Sequence, residues 1–351
     1  MAVEPLFGTR AQKAFIITIV VQAIVVITMV ALSFGTVQDE AGDSFTSNGY
    51  KTLPCYLALF ILAEMFEFVM AFDALHLRNI IQLIGIFIFH GALIVFSALQ
   101  IHETQSAITS CATSCVSDPD QLWHKVQHFL IVAPCVIAAS WFFLMFWIKQ
   151  LYSEFGWVIF HVVGANPKLK SMYQFYQIFI CLLKFDFFCF VGVTMQLLIV
   201  VLNTDSAEFG VTIAAIPVVL VLLAGCTYAV KQEIKWLMAL SLVLMMAAMS
   251  YCVYKLVRFY EPSSASQYVT TRATLTVFTV VAFLLLLTTF VIGLKCFNDF
   301  DKGLHESKTH GQSYTPVKMQ VINAFKTGGM AERQSSYFTG GAPLQPQISI
   351  E

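Results

Sequence analysis

From Ala14 to Phe34 the chain carries no charged side chain and is apolar at most positions. That is long enough to cross a bilayer as a helix, which takes ~20 mostly apolar residues. In hydrocarbon the backbone N–H and C=O groups must be satisfied inside the segment, so such a run folds as a helix. Seven similar runs follow: Pro54–Phe72, Ile80–Leu99, Phe129–Ile148, Phe175–Leu202, Val211–Val230, Trp236–Tyr254 and Ala273–Leu294. They predict an all-α, polytopic integral membrane helix bundle of eight transmembrane helices over 14–297. A short N-terminal segment, 1–13, precedes it and a hydrophilic tail, 298–351, follows. The first run exceeds the ~7–15-residue core of a signal peptide and is read as a retained helix. No internal repeat is evident, so an inverted-repeat transporter is not invoked.

Composition removes several function classes. Of 351 residues, 58% are apolar and only 12% charged, and the formal charge is −1. Soluble domains carry ~25% charged residues. A soluble enzyme and a basic nucleic-acid-binding face are therefore excluded. Nine cysteines are too few and too scattered for a disulfide scaffold.

Eight spans put both ends of the chain on one side, and the basic residues say which. Arg10, Lys13, Arg78, Lys149, Lys168, Lys170, Lys231, Lys235, Lys295 and Lys302 share the side of the termini. Lys51, Lys125, Lys255, Arg258 and Arg272 occupy the other. Both termini are therefore expected in the cytosol. A seven-helix receptor would need the first run removed and its N-terminus outside. The sequence has no Asn-x-Ser/Thr acceptor and no receptor motif.

The largest lumenal loop, Gln100–His128, holds Cys111 and Cys115, which an oxidising lumen would bridge, with Cys55 as a competing partner. Asp118-Pro119-Asp120 has the Asp-x-Asp form of glycosyltransferase metal sites but reads better as an acidic turn. His124 and His128 lie four apart, so one helical face could offer both to zinc, with His102, Cys111 and Cys115 to complete a site. Two interfacial histidines are the favoured reading, and no metal or cofactor is expected. The cytosolic loop Lys149–Gln174 mixes aromatics with lysine. Such residues settle at headgroup level, so the loop reads either as a segment along the leaflet or as a helix extension.

The tail is rich in Gly, Ser, Thr and Lys, cannot bury a core, and is expected to be disordered. Its Tyr314-Thr-Pro-Val317 has the form that cytosolic sorting adaptors read. Cys296, where the last run leaves the membrane, is a candidate for palmitoylation or an inert thiol.

Four charged residues lie well within spans: Glu64, Glu67, Lys184 and Asp186. A central charge costs ~2.5–3.5 kcal/mol on insertion scales, so all four must face the bundle interior. Depth counted from the span edges pairs Glu67 with Lys184. Glu64 shares a face with Glu67, and His90 in the third span could join them. Lys184 and Asp186 are two residues apart and point to opposite sides of their helix. The cluster reads either as an ion or proton site or as a structural ion pair. No phosphate-binding glycine loop, His-Glu-x-x-His or Gly-x-Ser-x-Gly motif occurs, and no enzyme activity is expected.

One block is more specific. Glu154-Phe-Gly-Trp157, Gly164-Ala165, Met172-Tyr173, Tyr176-Gln177 and Leu183-Lys184-Phe185-Asp186-Phe187-Phe188 follow in order. With a tail ending Ile348-Ser-Ile-Glu351, this resembles an uncharacterised family of fungal Golgi apparatus membrane proteins. The resemblance implies a multi-pass protein of the Golgi membrane and transfers no activity, cofactor or binding residue. A non-enzymatic role in membrane organisation or trafficking is the leading expectation. A transporter or channel using Glu64, Glu67, Asp186 and Lys184 is the alternative.

Overall fold

The computed structural model describes residues 8–41, 52–110, 119–163, 167–201, 207–261, 272–300 and 302. Among them the chain forms eight long helices: α1 Arg10–Ala41, α2 Thr52–His76, α3 Ile80–Ser110, α4 Pro119–Val163, α5 Pro167–Gln196, α6 Ala207–Lys231, α7 Lys235–Tyr260 and α8 Arg272–Asn298. A π-helical turn, Leu197–Val201, continues α5. Seven of the apolar runs each lie within one of these helices, and the fifth lies on α5 and the π-turn as far as Val201. Seven are long and apolar enough to cross a membrane, and α6 adds a shorter apolar stretch, Ile216–Lys231. Phe142 and Phe143 on α4 are 61% and 62% exposed. Faces that apolar suit lipid rather than water.

The helices close two rings. In the first, α1 packs on α2 and α4, and α3 packs on α2 and α4. In the second, α5 packs on α6 and α8, and α7 packs on α6 and α8. At four helix ends the rings match at an offset of 155 residues: Thr52 to Ala207, His76 to Lys231, Ile80 to Lys235 and Ala41 to Gln196. Even the tight links between the second and third helix of each ring agree. In the first, Asn79 donates its backbone N–H to Ala74 O and Arg78 has φ 50°. In the second, Ile234 donates to Ala229 O and Glu233 has φ 54°. Both are Schellman-type helix ends built on a non-glycine residue in the left-handed region. The internal repeat missed by inspection of the sequence is therefore present, and it runs in parallel.

The rings meet along α2, α3 and α5. Phe66, Phe89, Phe185 and Phe188 fill this seam. Phe66 lies 5.3 Å, 5.4 Å and 4.8 Å from the other three ring centroids. Gly85 lets α3 approach α5 here, because a Cβ would stand 3.0 Å from Phe185.

Of Lys149–Gln174, the residues to Val163 continue α4 without a break, the helix extension that is one of the two readings, and residues 167–174 open α5. Leu151 and Phe155 are buried against Ala11 and Phe15 of α1, with Ala74 of α2 in the same cluster. That apolar contact holds the extension upright. Thr9 accepts the backbone N–H of Gln12, capping α1, and donates to Glu154 Oε2 at 3.1 Å. At the opposite end Lys125 pairs with Glu40 at 2.6 Å. Pro119 and Asp120 open α4, the positions where proline and an acid suit a helix start.

Candidate functional site

The first ring is held at its centre by polar side chains from all four helices. Glu64 and Glu67 share one face of α2 and are 1% and 0% exposed. Gln22 of α1 donates its Nε2 to both oxygens of Glu64, at 2.7 and 2.9 Å. Glu67 Oε1 lies 2.7 Å from His90 Nδ1 of α3. His90 Nε2 lies 3.0 Å from the Ile137 carbonyl and 2.9 Å from Ser140 Oγ, both on α4.

These contacts fix most of the protons. Ser140 donates its own hydroxyl to the Ile137 carbonyl. Both oxygens facing Nε2 therefore accept, and Nε2 must carry the hydrogen. One further proton lies between Nδ1 and Glu67 Oε1. On the carboxyl it leaves a neutral acid beside a neutral imidazole; on the ring it leaves a carboxylate beside an imidazolium. The pair has no net charge in either arrangement, which makes full burial affordable where a lone charge would not be.

The pairing of Glu67 with Lys184 expected from depth is not formed. Lys184 donates instead to Asp73 Oδ2 of α2, and to Gln82 Oε1 of α3 at 3.2 Å. Gln82 Nε2 completes the group by donating to Asp73 Oδ2 at 2.9 Å. Asp73 lies six residues beyond Glu67, roughly 9 Å along the helix. It falls just past Phe72, where the apolar run ends. This group ties α5 to the first ring.

Both side chains of the Lys184–Asp73 pair are about one-third exposed (30% and 34%). Its contribution is that of a partly solvated pair, about 1 kcal/mol or less. Lys184→Met is therefore expected to lower stability only slightly. Its effect should add to that of Glu67→Leu, since the two residues share no partner. Thermal unfolding of the two single variants and the double variant checks the additivity.

Asp186 points the other way around α5, as the two-residue spacing requires. Its Oδ2 accepts the Thr289 hydroxyl of α8 at 2.6 Å, while Oδ1 is buried with no hydrogen-bond partner among the described residues. It lines a cavity of about 370 Å³ inside the second ring.

Thus Glu64 and Glu67 come together with His90, whereas Lys184 and Asp186 belong to separate groups. Gln22, Asp73, Gln82, Ser140 and Thr289 were missed as partners. Gln22 in the middle of a charge-free run was the one visible signal.

Cys296, read as a candidate for palmitoylation or an inert thiol, is 6% exposed and packs with Phe179, Met238 and Cys226. Cys55 is a free thiol, so the alternative bridge to it is not formed. Cys111, Cys115, Tyr314 and Val317 lie outside the described residues, as does the tail beyond Lys302. His128 Nδ1 is bonded to the His124 carbonyl of its own helix at 2.7 Å. Among the described residues no group of three His, Cys, Asp or Glu side chains converges on a metal position.

Fold and site together define a polytopic helical membrane protein of two tandem four-helix rings, one with a polar centre and one with a cavity. The chain is 28% identical over 312 residues to the UPF0658 Golgi apparatus membrane protein of Schizosaccharomyces pombe. The match covers 83% of this chain and 88% of that relative. The resemblance read around Glu154–Phe188 thus extends along most of the sequence. That relative is named for the Golgi apparatus membrane. No family model matches the chain, and no solved structure does.

Proposed function

We propose that this Golgi membrane protein crosses the bilayer eight times with both termini in the cytosol. Its role is non-enzymatic, in membrane organisation or trafficking. The observation that carries this reading is the first ring's polar centre. Gln22 donates to both oxygens of Glu64, and His90 matches Oε1 of Glu67, whose Oε2 is buried with no hydrogen-bond partner among the described residues. Groups so matched fix helix register, the best-attested use of buried polar residues. The basic residues flanking the helix ends support the orientation. The tail, with Tyr314 and Val317, is the segment offered to cytosolic sorting adaptors. Tags at either terminus should be digested by protease added to sealed vesicles; protection of either tag would overturn the orientation.

A second reading, transport, draws on one observation: Asp186 faces a cavity. Proton or cation flux through the reconstituted protein, abolished by Asp186→Asn, would replace the non-transporting role. Its absence while Golgi cargo sorting depends on the protein would support that role.

A further inference from the structure

We propose that the second ring binds a single-chain amphiphile with a hydrogen-bond-donating head, a long-chain amine, with the head on Asp186 and the chain in the cavity. The inference stands on the cavity alone and does not rest on the role proposed for the first ring.

The repeat shows what is unusual about the second ring. At the 155-residue offset, Val219, Leu222 and Met245 stand where the first ring has Glu64, Glu67 and His90. All three line the cavity. Leu222 is 40% exposed where its counterpart Glu67 is 0% exposed. The first ring fills its centre with its own side chains; the second leaves that space open between α6 and α7. Leu244 and Tyr251 also line the cavity and are exposed on the outer face. The opening therefore faces sideways, as an entry from lipid would.

The lining is chiefly apolar, and its volume of about 370 Å³ falls in the ~300–1,000 Å³ range of ligand pockets. From Ser241 to Lys255 along α7 the lining extends roughly 21 Å, more than half of the ~30 Å hydrocarbon core. An extended aliphatic chain suits that shape. The π-turn at Leu197 borders the same space, and such turns recur at functional sites.

The polar atoms define the head. The hydroxyls of Thr194, Ser241 and Thr279 are given to carbonyls of their own helices, at 2.8, 2.9 and 2.7 Å. They turn only acceptors toward the cavity. Asp186 Oδ1 is a further acceptor, on a residue 7% exposed, and is left without a donor. Tyr251 and Lys255, the donors in the lining, stand toward the far end of α7 from Ser241, and neither is bonded to Asp186 Oδ1. At Asp186 the ligand brings the donor, and a cationic amine also balances a carboxylate. A bare cation fits less well. Asp186 and Thr194 are eight residues apart, roughly 12 Å along α5, so these oxygens do not converge on one ion.

The test uses the purified full-length protein in lipid nanodiscs with a photoreactive hexadecylamine probe. Saturable labelling on α6 or α7 is expected, competed by hexadecylamine. Hexadecanol and hexadecanoic acid should compete about tenfold less well, as loss of a charge-assisted hydrogen bond implies. Asp186→Asn should weaken amine binding about tenfold while the melting temperature stays near that of the parent. Ala248→Trp, at an exposed position on the cavity wall, should block labelling in folded protein. Equal competition by the acid or the alcohol would overturn the proposal, as would unchanged amine affinity in Asp186→Asn. Should Asp186→Asn not fold, unchanged saturable labelling of Ala248→Trp overturns it instead.

Discussion

Replacing His90 by methionine is expected to remove folded protein from the membrane, and replacing Glu67 by leucine in the same chain to restore much of it. His90→Met leaves Glu67 in the centre of the first ring with neither a base to share its proton nor a donor. Breaking a buried pair from one side costs roughly 3–5 kcal/mol, whereas exchanging both partners for apolar residues is often neutral. The second ring carries Leu222 and Met245 at the matching positions, where they line its cavity. The measurement is the yield and melting temperature of purified protein for both single variants and the double. A double variant as damaged as the sum of the singles would show that the two residues are not a unit.

Phe66→Ala is expected to cost about 2 kcal/mol, below the ~3–5 kcal/mol of a fully buried aromatic, because Phe66 is partly buried. Phe66 touches Phe89, Phe185 and Phe188, which come from both rings. Its loss leaves a void that closes only if the rings shift together. Phe142→Ala is the control: that ring is 61% exposed to lipid and its removal should change stability by about 0.5 kcal/mol or less. Thermal unfolding in one detergent compares them. Equal effects would place the strength of the molecule elsewhere than in the seam.

The helices were legible because hydrocarbon leaves the backbone little choice, so apolar length alone announces Ala14–Phe34 and its successors. The burial of Glu64, Glu67 and Asp186 was legible for the same reason. Their partners were not. Depth was counted from the ends of apolar runs, and the helices overshoot those ends: α4 continues past Ile148 to Val163, and Asp73 lies one residue beyond the second run. An error of two turns was enough to exchange Asp73 for Glu67 opposite Lys184. The repeat was hidden because lipid-facing positions accept any large apolar side chain. At the 155-residue offset Gln22 meets Gln177 and Ala74 meets Ala229, while most other positions differ. The cavity left no trace either, since Val219 and Leu222 read alike whether packed or open.

The two clamps between α1 and α4 set a length. From Lys125, paired with Glu40, to Glu154, bonded to Thr9, α4 rises roughly 44 Å. A bilayer with its headgroups measures ~40–45 Å, and the distance between the clamps matches that thickness. Sliding α1 along α4 would break both at once. The pair therefore behaves as a strut of fixed span, and a membrane of another thickness must be met by tilting it whole or by deforming the lipid. Either response costs fractions of a kcal/mol per Å of mismatch, which makes this strut a gauge of the bilayer around it.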